Sequence, residues 1–479
     1  MLRILRWAAV ALVVLCVVLV VNAFRLSPDE TTAPQAQLPQ VDANTIAQLT
    51  SEAIQFRTIS HPLGAPDRPE DYQQFLDWVG TAFPHATKAM TRAVVSGFTP
   101  IYHWPGRSSD TGAVLFSGHY DVVPIEGDWS QDPWAGDIID GYVWGRGTVD
   151  MKSGVVTMLH AMDQLAQSGF QPEKDIYLAL TQDEEIGGKG GAAAVAQYML
   201  DQGIKIDWTL DEGSFVLRDM LSGIDNDIAM INLAEKGYMT VRITALADGG
   251  HSSMPQNDNA IARLADAITT LQTHQVPGGL DGVSEAMFDT LAPHMGFVER
   301  VLFGNRWLFD PVLERVLSGT NTTNAMLRTT TAPTMLQGST TENVLPQAAS
   351  VTINFRLHPR DTPDTILEHI KAHLPDENFE LEVLTAREAS PVASEDDATF
   401  AHLARAARQV FGDVVVVPGL TVGGTDSSHY AVLTDNSYRF LPFVATSEDV
   451  AMLHAADERI SVENLVRAVQ YYQLLIKGL

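Results

Sequence analysis

The stretch that decides the fold is Ala113-Val114-Leu115-Phe116-Ser117-Gly118-His119-Tyr120-Asp121-Val122-Val123-Pro124. Its first four residues read as a short apolar strand that runs into a polar loop. Downstream, Ser153–Ser168 has helical periodicity, Ile176–Thr181 reads as a strand, Ala192–Gln202 as a helix and Trp208–Leu210 as a strand. Upstream, Ile46–Ile54 and Tyr72–Phe83 carry apolar residues at helical spacing. Strands alternating with helices predict a mostly parallel α/β sheet, and in such sheets active residues gather where strands end. The pattern then changes. Tyr238–Ala247, Ser350–Leu357 and Phe379–Thr385 alternate like half-buried strands, with helices at Asn259–Leu271 and Thr362–Ala372. This predicts an α+β unit inserted into the main domain. Main-domain character returns with Ala398–Phe411, Val414–Pro418 and a final helix, Val462–Lys477.

Bulk composition narrows the function. The net charge of −28 across 479 residues, from 31 basic and 59 acidic side chains, excludes nucleic acid as a partner, which would need a basic footprint. The single cysteine, Cys16, lies in the N-terminal apolar run. Neither a disulfide framework nor a cysteine metal site is available within one chain, so any metal must be held by His, Asp and Glu.

Five polar clusters then stand out, most of them just after a predicted strand. His119 is followed two residues on by Asp121, and a zinc-binding imidazole commonly gives its other N–H to a carboxylate. Asp150 ends Trp144-Gly145-Arg146-Gly147-Thr148-Val149-Asp150, whose glycines permit close backbone approach. No third glycine stands where a dinucleotide fingerprint requires it. Three consecutive acids, Asp183, Glu184 and Glu185, follow the strand ending at Thr181. Adjacent carboxylates can divide labour between binding a metal and taking a proton from water. Asp211-Glu212-Gly213 follows another strand, and His454 lies in Met452-Leu453-His454-Ala455-Ala456-Asp457-Glu458-Arg459. Singly, each cluster is explained by a solvated loop, a helix N-terminus or a structural histidine. Together they point to a metal centre. No G-x-S-x-G run exists, which leaves a serine nucleophile unsupported.

These residues lie in ordered runs that resemble metallopeptidase family twenty, the acetylornithine deacetylase, succinyl-diaminopimelate desuccinylase, aminoacylase and carboxypeptidase S family. The runs are SGHYDVVP, GRGTVDMKSG, DEEIGG, LDEG, EKGYM, GGHSSMP, TTTAP, ENVLP, NFRLHP, GGTDSSHY and YRFLPF. They are most similar to the carboxypeptidase S and secreted N-fatty-acyl-amino-acid hydrolase subgroup. The resemblance implies a zinc-peptidase (phosphorylase/hydrolase-like) α/β catalytic domain over 42–234 and 388–479, with an inserted ferredoxin-like lid over 235–387. It implies two zinc ions, one on His119 and Glu212, the other on Glu185 and His454, with Asp150 between them. Glu184 is then the general base and Asp121 the partner of His119. His251 stabilises the oxyanion, in many relatives from a partner subunit of a homodimer formed through the lid. Asn343 and Arg356 hold the substrate carbonyl and carboxylate, and Gly424 and Thr425 belong to a loop that closes on substrate. The implied substrate is a small peptide or an N-acyl amino acid with a free carboxylate. The carboxypeptidase reading is the primary one; an aminoacylase-like N-acyl-amino-acid hydrolase is the alternative, and an inactive scaffold of the same fold the non-enzyme alternative. Ser428 and Gln182 stand where relatives often carry Arg and His, which bears on substrate preference. A longer lid insertion, about 278–320, could block the dimer surface.

Arg3 and Arg6 precede an apolar run from Trp7 to Val21, and Ile4–Phe24 is long enough for a spanning helix with its basic end in the cytoplasm. Residues 1–26 read as a signal anchor, with cleavage at Val21-Asn22-Ala23 and secretion as the alternative. Residues 27–41 read as a flexible stalk. Both place the body on the periplasmic or extracytoplasmic side. Full-length protein should pellet with membranes, and a version beginning near Asp42 should be soluble and active. Mature protein recovered with its N-terminus near Phe24 would establish cleavage instead.

Overall fold

The computed structural model describes residues 2–28, 37–61, 68–108, 112–221, 223–374 and 377–479. Part of the expected stalk, residues 29–36, lies outside them. The strand Ala113–His119 is buried at every position, as a parallel strand covered on both faces must be. It pairs in parallel with Asp175–Thr181 on one side and Ile206–Asp211 on the other. Ser437–Arg439 extends the parallel set next to Ile206–Asp211. Beyond it, Ile228–Glu235 pairs in parallel with Val415–Thr421. At the opposite edge a hairpin of Thr91–Val95 and Thr99–Trp104 adds two antiparallel strands. The whole forms one ten-stranded sheet.

Helices Lys152–Gln167 and Val462–Lys477 pack together against one face, with Val155, Leu159, Val469 and Tyr472 in the core. Helix Ala192–Asp201 covers the other face through Val195 and Met199. Gly118 packs closely under this layer: a Cβ there would stand 2.8 Å from Cε of Met151 and 2.9 Å from Cε of Met158, so an added side chain would push both methionine ends aside.

A second, four-stranded antiparallel sheet has the order Thr330–Gln337, Ala348–Leu357, Gly237–Leu246, Phe379–Arg387. Its two central strands bury alternate residues, among them Met239, Val241, Ile353 and Phe355. Leu264 and Leu271 of helix Ala260–Thr273, and Ile366 and Ile370 of helix Pro363–His373, close that core. Thr330–Gln337 is an edge strand, which is where its Pro333 can be tolerated, and the register shifts beside that proline. Between the first helix and this edge strand, the region expected only as an insertion is helical: Gly282–Leu291, Phe297–Phe303, Arg306–Leu317 and Asn321–Leu327. It packs on the main sheet, where Met287, Phe288 and Leu291 meet Val415 and Val417.

The chain passes between sheets at Lys236 and again after Arg387. The two crossings touch so closely that a Cβ on Gly237 would lie 2.5 Å from the carbonyl oxygen of Arg387. Buried Glu235 ties them together. Its Oε1 meets Arg387 Nη1 at 2.9 Å, and its Oε2 accepts from Thr425 Oγ1 at 2.7 Å and from Arg439 Nε at 3.3 Å.

A second buried carboxylate shapes the loop that carries Asp150. Glu458 Oε2 accepts from Arg146 Nη1 at 2.7 Å and from the Gly147 amide at 3.0 Å. Its Oε1 accepts from the Val149 amide at 2.7 Å and the Asp150 amide at 3.1 Å. Gly145 and Gly147 both have positive φ, which a glycine adopts at no steric cost. Four donors therefore converge on one carboxylate, and a carboxamide cannot accept all of them. Glu458→Gln should lower stability by about 3–5 kcal/mol, the cost of breaking a buried ion pair, read from the denaturant midpoint. A loss under about 1 kcal/mol, the worth of an ordinary hydrogen bond, would show that Glu458 does not clamp the loop.

Candidate metal centre

Three adjacent strand ends bring the first groups together. In the parallel register His119 is level with Thr181, and Phe116 with Leu210. The acidic loop at 183–185 therefore emerges beside His119 on one side, and Glu212 beside it on the other. Asp183 holds its loop by accepting from the Gly190 and Gly191 amides at 2.6 and 2.7 Å. Asp121 Oδ1 and Oδ2 accept from the Glu184 and Glu185 amides, each at 3.3 Å. Asp121 Oδ2 also takes a 2.5 Å hydrogen bond from Ser60 Oγ.

The other groups arrive on loops. Asp150 Oδ1 lies 2.9 Å from His119 Nε2, and Asp150 Oδ2 lies 3.0 Å from His454 Nε2. Glu212 Oε1 is 3.3 Å from His119 Nε2, and Glu185 Oε2 is 3.2 Å from His454 Nε2. Ligand atoms of His119, Asp150 and Glu185 all lie within 4.8 Å of one another, as do those of His119, Glu184 and Glu212. The backbone of His454 is in the left-handed region, with φ of 60°, uncommon for a residue with a Cβ and frequent at functional sites.

The electrostatics of this cluster favour a cation among its side chains. His119 Nδ1 faces the Asp121 carbonyl oxygen at 3.0 Å and Asp121 Oδ1 at 3.5 Å. Those are acceptors, so Nδ1 carries the hydrogen. In a neutral imidazole Nε2 is then itself an acceptor, and it points at oxygens of Asp150 and Glu212. Only a proton or a cation makes that apposition favourable. His119 is accordingly held well above the ordinary histidine value: burial opposes the charge, but Glu212, Asp121 and Asp150 outweigh it. Hydrogen bonds to Asp150 and then Glu185 push His454 up to about 10. Burial, then Asp150, raises Glu212 to about 7 and also raises Glu185. Burial raises Glu184 well above the carboxylate range; His119 opposes this, and Glu212, Asp426 and Asp150 add to it. Asp150 moves the other way. Burial would raise it, yet the two imidazoles hold it low.

The remaining expected residues stand apart. His251 is exposed on a two-residue strand paired with Val344–Leu345, and its Nδ1 bonds Ser253 Oγ at 2.8 Å. Asn343 is exposed, and its carbonyl accepts from the Ser252 amide. Arg356 is half-buried on the second sheet, 4.8 Å over the ring of Tyr238, and burial lowers its pKa. None of the hydrogen bonds or ion pairs of these three reaches the centre. Gly424 lies against Arg387, and the buried Thr425 spends its hydroxyl on Glu235. Three positioning groups have roles that the sequence does not reveal. Ser60 is 61 residues from Asp121 and nothing local marks it, whereas Glu235 opens the run EKGYM but its partners Arg387, Thr425 and Arg439 lie far along the chain. Glu458 was visible four residues beyond His454, but its role depends on a loop 309 residues away.

Comparison with known proteins gives this geometry a family. A family model for peptidases M20/M25/M40 matches residues 115–478. A probable carboxypeptidase S-like 2 from Dictyostelium discoideum is 33% identical, covering 98% of this chain and 92% of its own length. The N-fatty-acyl-amino acid synthase/hydrolase PM20D1 of Xenopus tropicalis is also 33% identical, over 98% of this chain and 93% of its own. Among solved structures, an M20 family metallo-carboxypeptidase from Sulfolobus solfataricus superimposes with a TM-score of 0.64 at 18% identity, covering 91% of this chain and 99% of that one. The α/β fold is that of the M20 peptidases, and the chain is a hydrolytic enzyme belonging to peptidase family M20/M25/M40.

Proposed function

We propose that this enzyme is a two-zinc amidohydrolase that cleaves the amide bond next to a free carboxylate. The observation that carries the reading is the acceptor-against-acceptor contact of His119 Nε2 with Asp150 and Glu212, with His454 Nε2 facing Asp150 and Glu185 on the other side. Two imidazoles and three carboxylates are a donor set that suits zinc. His119 and Glu212 would hold one ion, His454 and Glu185 the other, and Asp150 would serve both. When bound, such a pair polarises the scissile carbonyl and lowers the pKa of water.

The chain's own residues supply the rest. Glu184 accepts the proton of the attacking water and passes it to the leaving amine; burial and its acidic neighbours favour the protonated form it must pass through. Asp121 fixes the tautomer of His119 and the backbone of the acidic loop. Arg356 offers a bidentate partner for the substrate carboxylate. The unit 235–387 acts as a lid over the main domain formed by 42–234 and 388–479. Its order of elements, strand, helix, two strands, helix and strand, supports a ferredoxin-like reading. The helix Leu2–Arg25 anchors the body to a membrane. A peptide with a free C-terminus and an N-acyl amino acid both meet these requirements. The carboxypeptidase S-like and N-fatty-acyl-amino-acid relatives support each equally by identity.

Blocked dipeptides and N-acyl amino acids of graded chain length, assayed side by side with metal analysis, test the reading; no turnover of either class by metal-loaded protein would sink it. Glu184→Gln should keep its zinc and lose turnover by about 10²–10⁴, whereas Asp150→Asn should lose the metal itself. Full metal occupancy in Asp150→Asn would remove Asp150 from the bridging position.

For His251, the reading is a donor to the oxyanion brought in by lid closure or from a second copy. His251→Ala should lower kcat by about 10²–10³ with metal content intact. Mixing it with Glu184→Gln should restore activity only if the histidine acts across a dimer. An unchanged kcat would return His251 to a structural role in its turn.

A further inference from the structure

The helical insertion at 282–327 joins the N-terminal helix to the catalytic sheet, and it leaves one apolar face uncovered. Asn305 is fully buried and clips the N-terminal helix in place. Its Oδ1 accepts from Asn22 Nδ2 at 2.9 Å, and its Nδ2 donates to the Leu19 carbonyl at 3.0 Å. Gly304 lets the backbones approach: a Cβ there would lie 3.2 Å from the Asn22 carbonyl oxygen. Ala23 is fully buried in this contact, Leu26 packs into the insertion's core, and the rings of Phe24 and Phe297 are 5.6 Å apart. A built interface therefore fixes the last two turns of the apolar helix against residues 297–305.

That interface sets the height of the insertion. The apolar helix Arg3–Arg25 is about 35 Å long at 1.5 Å per residue, against a hydrocarbon core of about 30 Å. Residues 19–25 then stand where acyl chains give way to headgroups. The next helix, Arg306–Leu317, starts at that level. Its Leu308, Val312 and Val316 recur every four residues on one stripe, and Trp307 is exposed in the first turn, on the flank of the helix beyond Leu308. All four are exposed, Trp307 at 66% and Val316 at 62%. Trp is the residue that membrane interfaces favour, and exposed Arg315 on the same face suits lipid headgroups. Isolated exposed apolar residues need no explanation, but a contiguous stripe does.

We infer that the exposed face of Arg306–Leu317, with Phe297 and Val298, is seated in the outer leaflet of the membrane that the N-terminal helix crosses. The insertion then acts as a rigid bracket that holds the catalytic sheet in one orientation on the bilayer. The inference rests on the anchor reading proposed above. It is distinct from it, since a spanning helix alone would leave the body free to turn.

The test uses the full chain in phosphatidylcholine vesicles. Cys16 is the sole cysteine, so Cys16→Ser leaves a background in which Val316→Cys carries an environment-sensitive fluorophore. Val94→Cys serves as the control, exposed on the hairpin at the far edge of the main sheet, six strand spacings or about 30 Å from Ile228–Glu235. Nitroxide-labelled phosphatidylcholine should quench the probe at 316 several-fold more than at 94, and alkaline carbonate should leave the protein in the vesicle pellet. Retention in the pellet with equal, weak quenching at both sites overturns the docking and leaves the anchor standing. Quenching at 316 in protein that carbonate releases supports the docking and overturns the span. Release without quenching overturns both. A blue shift at 316 without lipid quenching marks burial against protein, a second copy included, and also overturns the docking.

Discussion

Asp150 is shared by two imidazoles, and the site depends on that one arrangement. A carboxylate with each oxygen about 3 Å from a different histidine sits among Glu184, Glu185 and Glu212, all largely shielded from water, with the exposed His454 at the rim. Repulsion among buried carboxylates is costly and must be relieved by protons or by cations. Without cations the relief comes from protons, which is why both imidazoles and three of the glutamates are displaced towards their protonated forms. Bound divalent cations would reverse that logic. The upward direction of these shifts is what a cluster that calls for positive charge shows.

Such a cluster cannot hold its own geometry, because its members repel. The restraint comes from a surrounding set of carboxylates that face donors. Glu458 holds the loop of Asp150 through Arg146 and three backbone amides, Asp183 holds the acidic loop through Gly190 and Gly191, and Asp121 reaches His119 and two amides of that same loop. Each is satisfied by hydrogen-bond donors, N–H groups together with the Ser60 hydroxyl on Asp121. The inner carboxylates, by contrast, have few donors: Glu185 Oε1 is buried without any hydrogen-bond partner. This division between donor-rich and donor-poor acids separates residues that shape the site from those left free to bind.

How much of this was legible in the sequence follows the range of each interaction. The central strands and their flanking helices were readable because continuous apolar runs and helical periodicity are local. His119, Glu184, Glu185 and Glu212 were readable because they follow such strands directly. The hairpin at 91–104 was not, since Thr99–Trp104 contains Pro100 and His103 and its burial is decided by a partner strand over 70 residues away. The insertion was recognised as extra length but not as four helices. Arg306–Leu317 contains Pro311 and exposes much of its apolar surface, so its pattern does not point to a core. Ser60 and Glu235 act across 61 and 204 residues, and no spacing rule reaches that far.

The crossing between the two sheets bears on where the expected substrate groups lie. Glu235 joins Arg439 and Thr425 of the main domain to Arg387 at the crossing, and Gly237 packs there too closely for any side chain. The crossing is therefore short and tight. The strand Gly237–Leu246 leads away from it for ten residues, roughly 33 Å at 3.3 Å per residue. Arg356 pairs with Tyr238 at the crossing end, and His251 follows the far end. A rotation of about 20° would move the far end by roughly 11 Å over that strand length and the crossing end hardly at all. If the unit 235–387 closes as the lid proposed above, an arginine that holds a carboxylate throughout belongs near this crossing, and a histidine that completes the site only on closure belongs at the far end, where His251 stands exposed.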